Sequence, residues 1–308
     1  MAVVVSPTTL KAARPVSAGR VVSPNTRPAE NTSTATQSKP TPFLKWAGGK
    51  GQLLQEIRQR LPENFTTYFE PFLGGGAVFF GFQPMRAILS DSNPELIQTF
   101  LSVRDEPDAL MSALDQHIDH RTEESYFYRI RDELDPATLG TADRAARTIF
   151  LNKTCFNGLY RVNARGKFNV PWGAYRNPKL YDRTNILAAA ELLHDKIVLR
   201  ADYQVVCAYA RDDDFVYLDP PYHPISETSR FTGYTKDDFG LTQQEQLAKT
   251  FRELDTRGCK VMLSNSATES IRSLYSGFRT EKLKAIRAIN SKPTGRGPID
   301  ELLIMNYD

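Results

Sequence analysis

Cysteine is scarce in this chain of 308 residues: Cys155, Cys207 and Cys259 are its three, an odd number with no metal-ligand spacing. That excludes a disulfide framework and a cysteine-built metal module, and it fits a reducing, cytoplasmic setting. Histidine is scarcer than a metal centre wants. Of four in all, His117 and His120 lie three apart on an expected helix, with no carboxylate or thiol cluster beside them. A surface helix explains them better than metal, and no metal site is expected. No apolar run approaches the ~20 residues of a membrane span, so no membrane partner is expected either. Aromatic residues are missing from positions 1–40, where Ser, Thr, Pro and Ala dominate. That segment reads as a disordered basic tail. Being Arg-bearing and acid-poor it also fits an organelle transit peptide, and the sequence does not choose between them.

Strong net charge is lacking as well, at +3 overall, but its distribution is uneven. Residues 1–40 carry five basic residues and one acid, which leaves the rest of the chain at −1. Within that near-neutral body, residues 150–184 hold Lys153, Arg161, Arg165, Lys167, Arg176, Lys179 and Arg183 against Asp182 alone. The cations alternate with Phe156, Tyr160, Phe168, Trp172 and Tyr175. A solvated surface is the usual fate of a charge run. A basic, aromatic stretch on a neutral body is also the footprint of a polyanion site.

With 41% hydrophobic and 24% charged residues the composition is that of a globular protein. Leu53, Leu54, Ile57 and Leu61 have helical spacing. Residues 67–72 read as a strand, followed by Gly74-Gly75-Gly76, a short helical segment from Ala77, and a second strand over 87–90 ended by Asp91-Ser92-Asn93-Pro94. Strand, glycine turn, helix, strand, acid is the order of a nucleotide-binding unit. Residues 95–150 read as helical with a polar break around 135–143, and 162–168 as a hairpin turning at Arg165-Gly166. Further strands are expected at 196–200, 215–218, 260–263 and 301–305. Thr242-Gln-Gln-Glu245 has the form of a capping box opening a helix that closes at Gly258. The expected architecture is α/β: a doubly wound Rossmann-like sheet over 41–104 and 190–308, interrupted by a helical and β-hairpin insert over 105–189.

The densest chemistry is Asp219-Pro220-Pro221-Tyr222, directly after the apolar run Phe215-Val216-Tyr217-Leu218. It sets a carboxylate, two rigid backbone units and an aromatic face at the mouth of a buried strand. Such a group can hold a planar base, accepting both hydrogens of an exocyclic amine while the ring covers it. A base held so must be out of its helix. The plain alternative is a turn, since Pro fixes φ and Asp caps turns. Phe72-Leu-Gly-Gly-Gly76 lets the backbone approach an adenosine-type ligand, and Asp91, 15 residues past Gly76, suits a ribose diol. Alone this partial fingerprint also fits a nicotinamide enzyme. Lys45-Trp-Ala-Gly-Gly-Lys50 is not a phosphate loop, because Leu44 replaces the first glycine and Gly51 the Ser or Thr. Trp46 and Lys50 can supply a stacking face and a cation for a carboxylate. Less decided are His223, Ser264-Asn-Ser266, which reads equally as a turn, and Arg287, Lys292 and Arg296, which fit phosphate or solvent alike.

Four segments together resemble the DNA adenine N6-methyltransferases of the Dam type: Lys45–Lys50, Phe69–Gly76, Asn157–Asn163 with Phe168–Gly173, and Asp219–Tyr222. The likeness runs from about Pro42 to Asp308, with cofactor motifs first and the catalytic tetrapeptide last, the α arrangement of the D12 class. It implies S-adenosylmethionine as cofactor, held by Trp46, Lys50, Phe72, Gly74, Gly76, Asp91 and Asp219. It implies Asp219, Pro220 and Tyr222 as the catalytic set. It implies a target-reading hairpin of the GATC branch, with Asn157, Leu159, Arg161, Pro171 and Tyr175 at base-reading positions. Arg can pair with guanine O6 and N7, and Leu and Pro can meet a thymine methyl. Phe156 stands where the family often has Tyr, as a wedge beside the emptied base site. Lys45 joins the DNA-binding set, and Lys153, Arg165, Lys167 and Arg176 are assigned to phosphates. A monomer is expected, and a separately acting restriction enzyme is left open. The competing readings are a methyltransferase for another target, either a different DNA sequence or a glutamine amide of a protein, and an inactive DNA-binding relative.

Overall fold

The computed structural model describes residues 39–222, 239–286 and 298–308. The readings of residues 1–38, His223, Arg287, Lys292 and Arg296 lie outside the described residues. Seven strands form one sheet: β1 (Tyr68–Glu70), β2 (Ala87–Asp91), β3 (Ile197–Arg200), β4 (Phe215–Leu218), β5 (Lys260–Ser266), β6 (Arg279–Ile286) and β7 (Pro298–Met305). Their order is β3-β2-β1-β4-β5-β7-β6. The first five run parallel, while β7 lies antiparallel between β5 and β6. This is a Rossmann-like methyltransferase fold.

Ten α-helices accompany the sheet among the described residues: α1 (Leu54–Gln59), α2 (Ala77–Phe82), α3 (Pro94–Asp105), α4 (Pro107–Ile118), α5 (Glu124–Asp132), α6 (Thr141–Thr154), α7 (Arg183–Leu193), α8 (Tyr203–Cys207), α9 (Leu241–Thr256) and α10 (Glu269–Leu274). Strand β4 shows why both sheet faces are covered. Phe215 and Tyr217 enter one core with α2, α3, α4, α6 and α7. Val216 and Leu218 enter the other with α8, α9 and α10. All four are buried, so the strand reads as an unbroken apolar run.

The insert has its own core of Phe127, Ile130, Phe150, Tyr160, Phe168 and Leu180 among others. It is not a separate body, for Leu114, Ile149 and Ile186 pack into the sheet-side core. Buried Arg147 donates from Nε and Nη2 to the carbonyls of Ile130 and Arg131, both 3.0 Å, satisfying the last turn of α5.

Several local readings are corrected. The helical stretch 95–150 is four helices: Pro107 restarts the chain at α4, and residues 119–123 and a 3₁₀ turn at Pro136–Thr138 divide the rest. His117 closes α4 but His120 lies in the turn beyond it. His117 Nδ1 is 2.7 Å from the Tyr126 hydroxyl, and no metal-holding group of His, Cys, Asp or Glu exists among the described residues. Helix α9 starts earlier than the Thr242–Glu245 box: Gly240 is the N-cap and donates its N–H to Gln243 Oε1 at 2.9 Å. Ser264–Ser266 is the end of β5, not a turn. Strand β6 had no forecast, since Arg279, Glu281, Lys282 and Lys284 mask its alternation. No described helix is long and apolar enough to cross a membrane.

Candidate active site

The strand order reverses between β1 and β4, which opens a crevice at their carboxyl ends. Both segments singled out in the sequence emerge there, Phe72–Gly76 after β1 and Asp219–Tyr222 after β4. Lys50 brings the first loop to the second. It is 3% exposed, and Nζ donates to Asp219 Oδ2 at 2.7 Å and to the Gly48 carbonyl at 2.6 Å. The same ammonium lies 4.9 Å from the centre of the Tyr222 ring. The sequence offered Lys50 as a cation for a carboxylate, and here it pairs with Asp219.

Three acids surround this cation. Burial pushes the Asp219 carboxyl up to about 6 against the pull of Lys50, with Glu301 pushing it further up. Glu301, on β7, accepts the Tyr222 hydroxyl at 2.8 Å. Burial, with Asp219 and Glu301 beside it, holds the Tyr222 phenol well above its ordinary value and therefore neutral. Glu70, at the end of β1, is pushed by burial up to about 8, opposed by the Tyr68 hydroxyl that donates to it at 2.8 Å. At neutral pH Glu70 is protonated while Asp219 is mostly ionised. Pro220 is buried beside Asp219.

The glycine turn is built for close approach. Gly74 and Gly76 have φ of +49° and +70°, where side chains are strained. A Cβ on Gly74 would stand 2.9 Å from the Trp46 ring, so Trp46 lies directly on the turn. Asp91 anchors it: Oδ2 accepts the Gly74 N–H at 3.0 Å and Oδ1 that of Asn93 at 2.9 Å. Burial raises the Asp91 carboxyl in spite of these two bonds. With the Ser92 backbone as a third donor, the four acceptor sites of the carboxylate still leave room for a ligand hydroxyl. Phe72 stacks on Tyr203 at 5.1 Å and meets Phe239 edge-on at 5.9 Å, forming an aromatic wall beside the turn. A glycine turn faced by the Trp46 ring, an acid at the end of β2 and an aromatic wall fit an adenosine-type ligand.

The insert is stitched to the same crevice. Trp46 stacks on Tyr160 at 5.3 Å. Buried Asn152 accepts the Lys45 N–H at 2.8 Å and donates to the carbonyls of Lys45 at 2.7 Å and Gly158 at 3.1 Å. Lys45 Nζ lies 4.6 Å from the Tyr175 ring centre. Lys153, half-buried on α6, is lowered to about 8 by burial and by Lys45.

The expected hairpin is present, though as turns and bridges rather than a ladder. Asn157 and Gly158 both have positive φ, and the Leu159 N–H reaches the Phe156 carbonyl at 3.3 Å, as in a type I′ turn. This leaves Phe156 46% exposed. Its N–H donates to the Pro171 carbonyl at 2.8 Å, closing the base of the hairpin, while Arg165 and Lys167 stand exposed at the tip. Leu159, Pro171 and Tyr175 reach the surface. Arg161 is exposed but tethered: Nε donates to Asn169 Oδ1 at 2.8 Å and Nη2 to the Asn169 carbonyl at 3.2 Å.

Sequence reasoning thus named Asp219, Tyr222, Lys50, Trp46, Asp91 and the glycines, and the fold gathers them in one crevice. Arg161 and Arg165 lie on the hairpin arm. It missed Glu301, Tyr203 and Phe239. Glu301 stood in the strand expected at 301–305 without a role, and nothing local marked the two aromatics.

The family model described as D12 class N6 adenine-specific DNA methyltransferase matches residues 46–289. The type II methyltransferase M.MjaIII of Methanocaldococcus jannaschii is 43% identical over 285 residues, covering 86% of this chain and 99% of that protein. The type II methyltransferase M1.LlaDCHI of Lactococcus lactis subsp. cremoris is 40% identical over 270 residues, 86% of this chain and 95% of its own. A DNA adenine methylase of Haemophilus influenzae is 34% identical over 268 residues, 86% and 93%. Likeness of that extent, over most of the chain, places it in the D12 class of N6 adenine-specific DNA methyltransferases.

Proposed function

We propose that the protein moves a methyl group from S-adenosylmethionine to N6 of an adenine swung out of duplex DNA, within the sequence GATC. The observation that carries this is the convergence of Lys50, Asp219, Tyr222 and Glu301 beside the glycine turn. Bound in the cradle of Trp46, Phe72, Gly74, Gly76 and Asp91, the cofactor supplies a methyl group on a positively charged sulfur. Acidic Asp219 and Glu301 favour that charge nearby. Asp219 and the Pro220 carbonyl accept the two amino hydrogens of the base. This draws the nitrogen toward a tetrahedral shape and localises its lone pair. Tyr222 covers the ring. Catalysis is then chiefly positioning and preorganised acceptors.

Residues 41–104 and 190–308 serve as the catalytic part and 105–189 as the DNA-reading part. Phe156, on its turn, wedges beside the vacated stack. Asn157, Leu159, Arg161, Pro171 and Tyr175 read bases, with Lys45 near them. Lys153, Arg165, Lys167 and Arg176 meet phosphates. GATC rests on the resemblance of this hairpin, and its exposed placement on one arm supports the reading. The printed names of two relatives, type II methyltransferases, fit a restriction enzyme acting separately. A monomer suffices for one short site.

Plasmid incubated with the protein and labelled cofactor, then cut by endonucleases that differ in sensitivity to adenine methylation at GATC, tests the target. Protection at GATC is expected; label elsewhere means another recognition sequence. Asp219→Ala is expected to lower kcat by roughly 10³-fold or more with DNA binding still measurable. Arg161→Ala is expected to relax sequence preference.

A further inference from the structure

The tetrapeptide after β4 has an unusual weakness. Two consecutive prolines remove two backbone donors, so the loop cannot be tied down through its own N–H groups. Proline fixes φ but leaves ψ free, and rotation about ψ of Pro221 would swing the peptide that carries Tyr222. At the Pro221 carbonyl a buried side chain opposes that rotation. Gln244, on α9 and fully buried, donates from Nε2 to the Pro221 carbonyl at 3.0 Å. Its Oε1 accepts from Asn265 Nδ2 at 2.9 Å, and Asn265 Oδ1 accepts the Ser266 N–H at 2.8 Å. Asn265 is also fully buried, near the end of β5.

The direction of this chain is fixed at both ends. A backbone N–H can only donate and a proline carbonyl can only accept, so each amide has one orientation that satisfies all partners. The sheet thereby reaches through α9 to the loop without a rotatable hydroxyl in between. Tyr222 is then held twice: its peptide by Gln244 and its hydroxyl by Glu301. The Ser264–Ser266 segment, ambiguous in the sequence, is the anchor of this relay.

We infer that Gln244, braced by Asn265, is a positioning residue for methyl transfer: it locks the Pro221 carbonyl and so sets the Asp219–Tyr222 clasp on the target base. The inference rests on the function proposed above. Misplacement of the clasp by about 1 Å is enough to cost about 10²-fold in rate. Gln244 touches neither base nor cofactor, so its effect falls on kcat and not on either KM.

The test measures steady-state kinetics of the full chain on a GATC duplex, with thermal unfolding alongside. Gln244→Leu, of similar size, is expected to keep both KM values and lower kcat by about 30–100-fold. Asn265→Leu is expected to move kcat in the same direction by less. Gln244→Glu supplies a readout that a purely structural role would not move. Its carboxyl can donate to the Pro221 carbonyl only when protonated. The kcat of this variant relative to the unaltered enzyme should therefore rise as pH falls, against the unaltered enzyme's own acid limb. Should Gln244→Leu fail to fold, the Gln244→Glu profile decides alone. A folded Gln244→Leu with unaltered kcat, or a pH-independent ratio for Gln244→Glu, overturns the relay. Asp219→Ala assayed in parallel separates the two levels: its loss of activity beside an active Gln244→Leu sinks the relay only, whereas a fully active Asp219→Ala sinks the catalytic assignment under both.

Discussion

In the proposed function Asp219 acts as a carboxylate, and its environment leaves that state finely balanced. Burial raises its pKa to about 6 while Lys50, at 2.7 Å, holds it from going higher. Activity at saturating cofactor should accordingly fall on an acid limb with a midpoint near 6. Removing the cation removes the downward pull, so Lys50→Met should move that limb to higher pH, visible in kcat/KM measured between pH 5 and 9. A limb that stays in place would mean that Asp219 is not the titrating group. Glu70 works in the opposite sense on stability. Its folded pKa of about 8 lies above the ordinary 4.5, so the folded state holds the proton more tightly. The stability this contributes is complete below 4.5 and is lost as pH rises through about 8. Gln cannot ionise, so the melting temperature of Glu70→Gln should gain on that of the unaltered protein from pH 5 to pH 8. A constant difference would show that Glu70 is not the source of the pH dependence.

At the scale of elements, the joint between loop 44–50 and the hairpin arm can be tested directly. Asn152 on α6 makes three hydrogen bonds there, two to Lys45 and one to Gly158, and is 1% exposed. Asn152→Leu leaves three backbone groups without their partner, a loss of about 3 kcal/mol in urea unfolding. It should also weaken DNA binding, because Lys45 packs its stem on Gly158: a Cβ there would stand 2.5 Å from Lys45 Cδ. Unchanged stability would show that water replaces the amide without cost. The hairpin was legible at its tip, where Arg165-Gly166 marks the turn, whereas the turn at Asn157-Gly158 came only with the structure. Strand β6 was not: its alternate residues are charged, and only pairing with β7 along eight residue pairs makes it a strand. Helix α9 was placed correctly but capped wrongly: its N-cap is Gly240, which has no side chain to accept from the first turn and donates its N–H to Gln243 Oε1.

Across the whole molecule the charges are segregated by role. A buried acidic crevice holds Asp219, Glu70 and Glu301 around one ammonium, while Arg165 and Lys167 stand exposed on the arm. If these two meet phosphates, each contributes to counterion release. Arg165→Ala and Lys167→Ala should each flatten the plot of log DNA affinity against log salt by about 1. Arg161→Ala should instead lower affinity for the preferred site more than for others. Salt slopes unchanged from the unaltered protein would place neither Arg165 nor Lys167 on the backbone.

The sequence by itself determined the chemistry. Residues adjacent in the chain, Asp219 to Tyr222 and Phe72 to Gly76, owe their shape to local geometry: proline fixes φ, glycine admits positive φ, and the apolar run before Asp219 marks β4. The α/β class followed from the same periodicity. Tertiary structure alone decided what those residues touch. Lys50 and Asp219 are 169 positions apart, Tyr222 and Glu301 are 79 apart, and Gln244 reaches back 23 residues to Pro221. Contacts of that separation depend on the order in which strands join the sheet. Hydrogen bonding and hydrophobic burial fix that order for the chain as a whole, and no short segment records it.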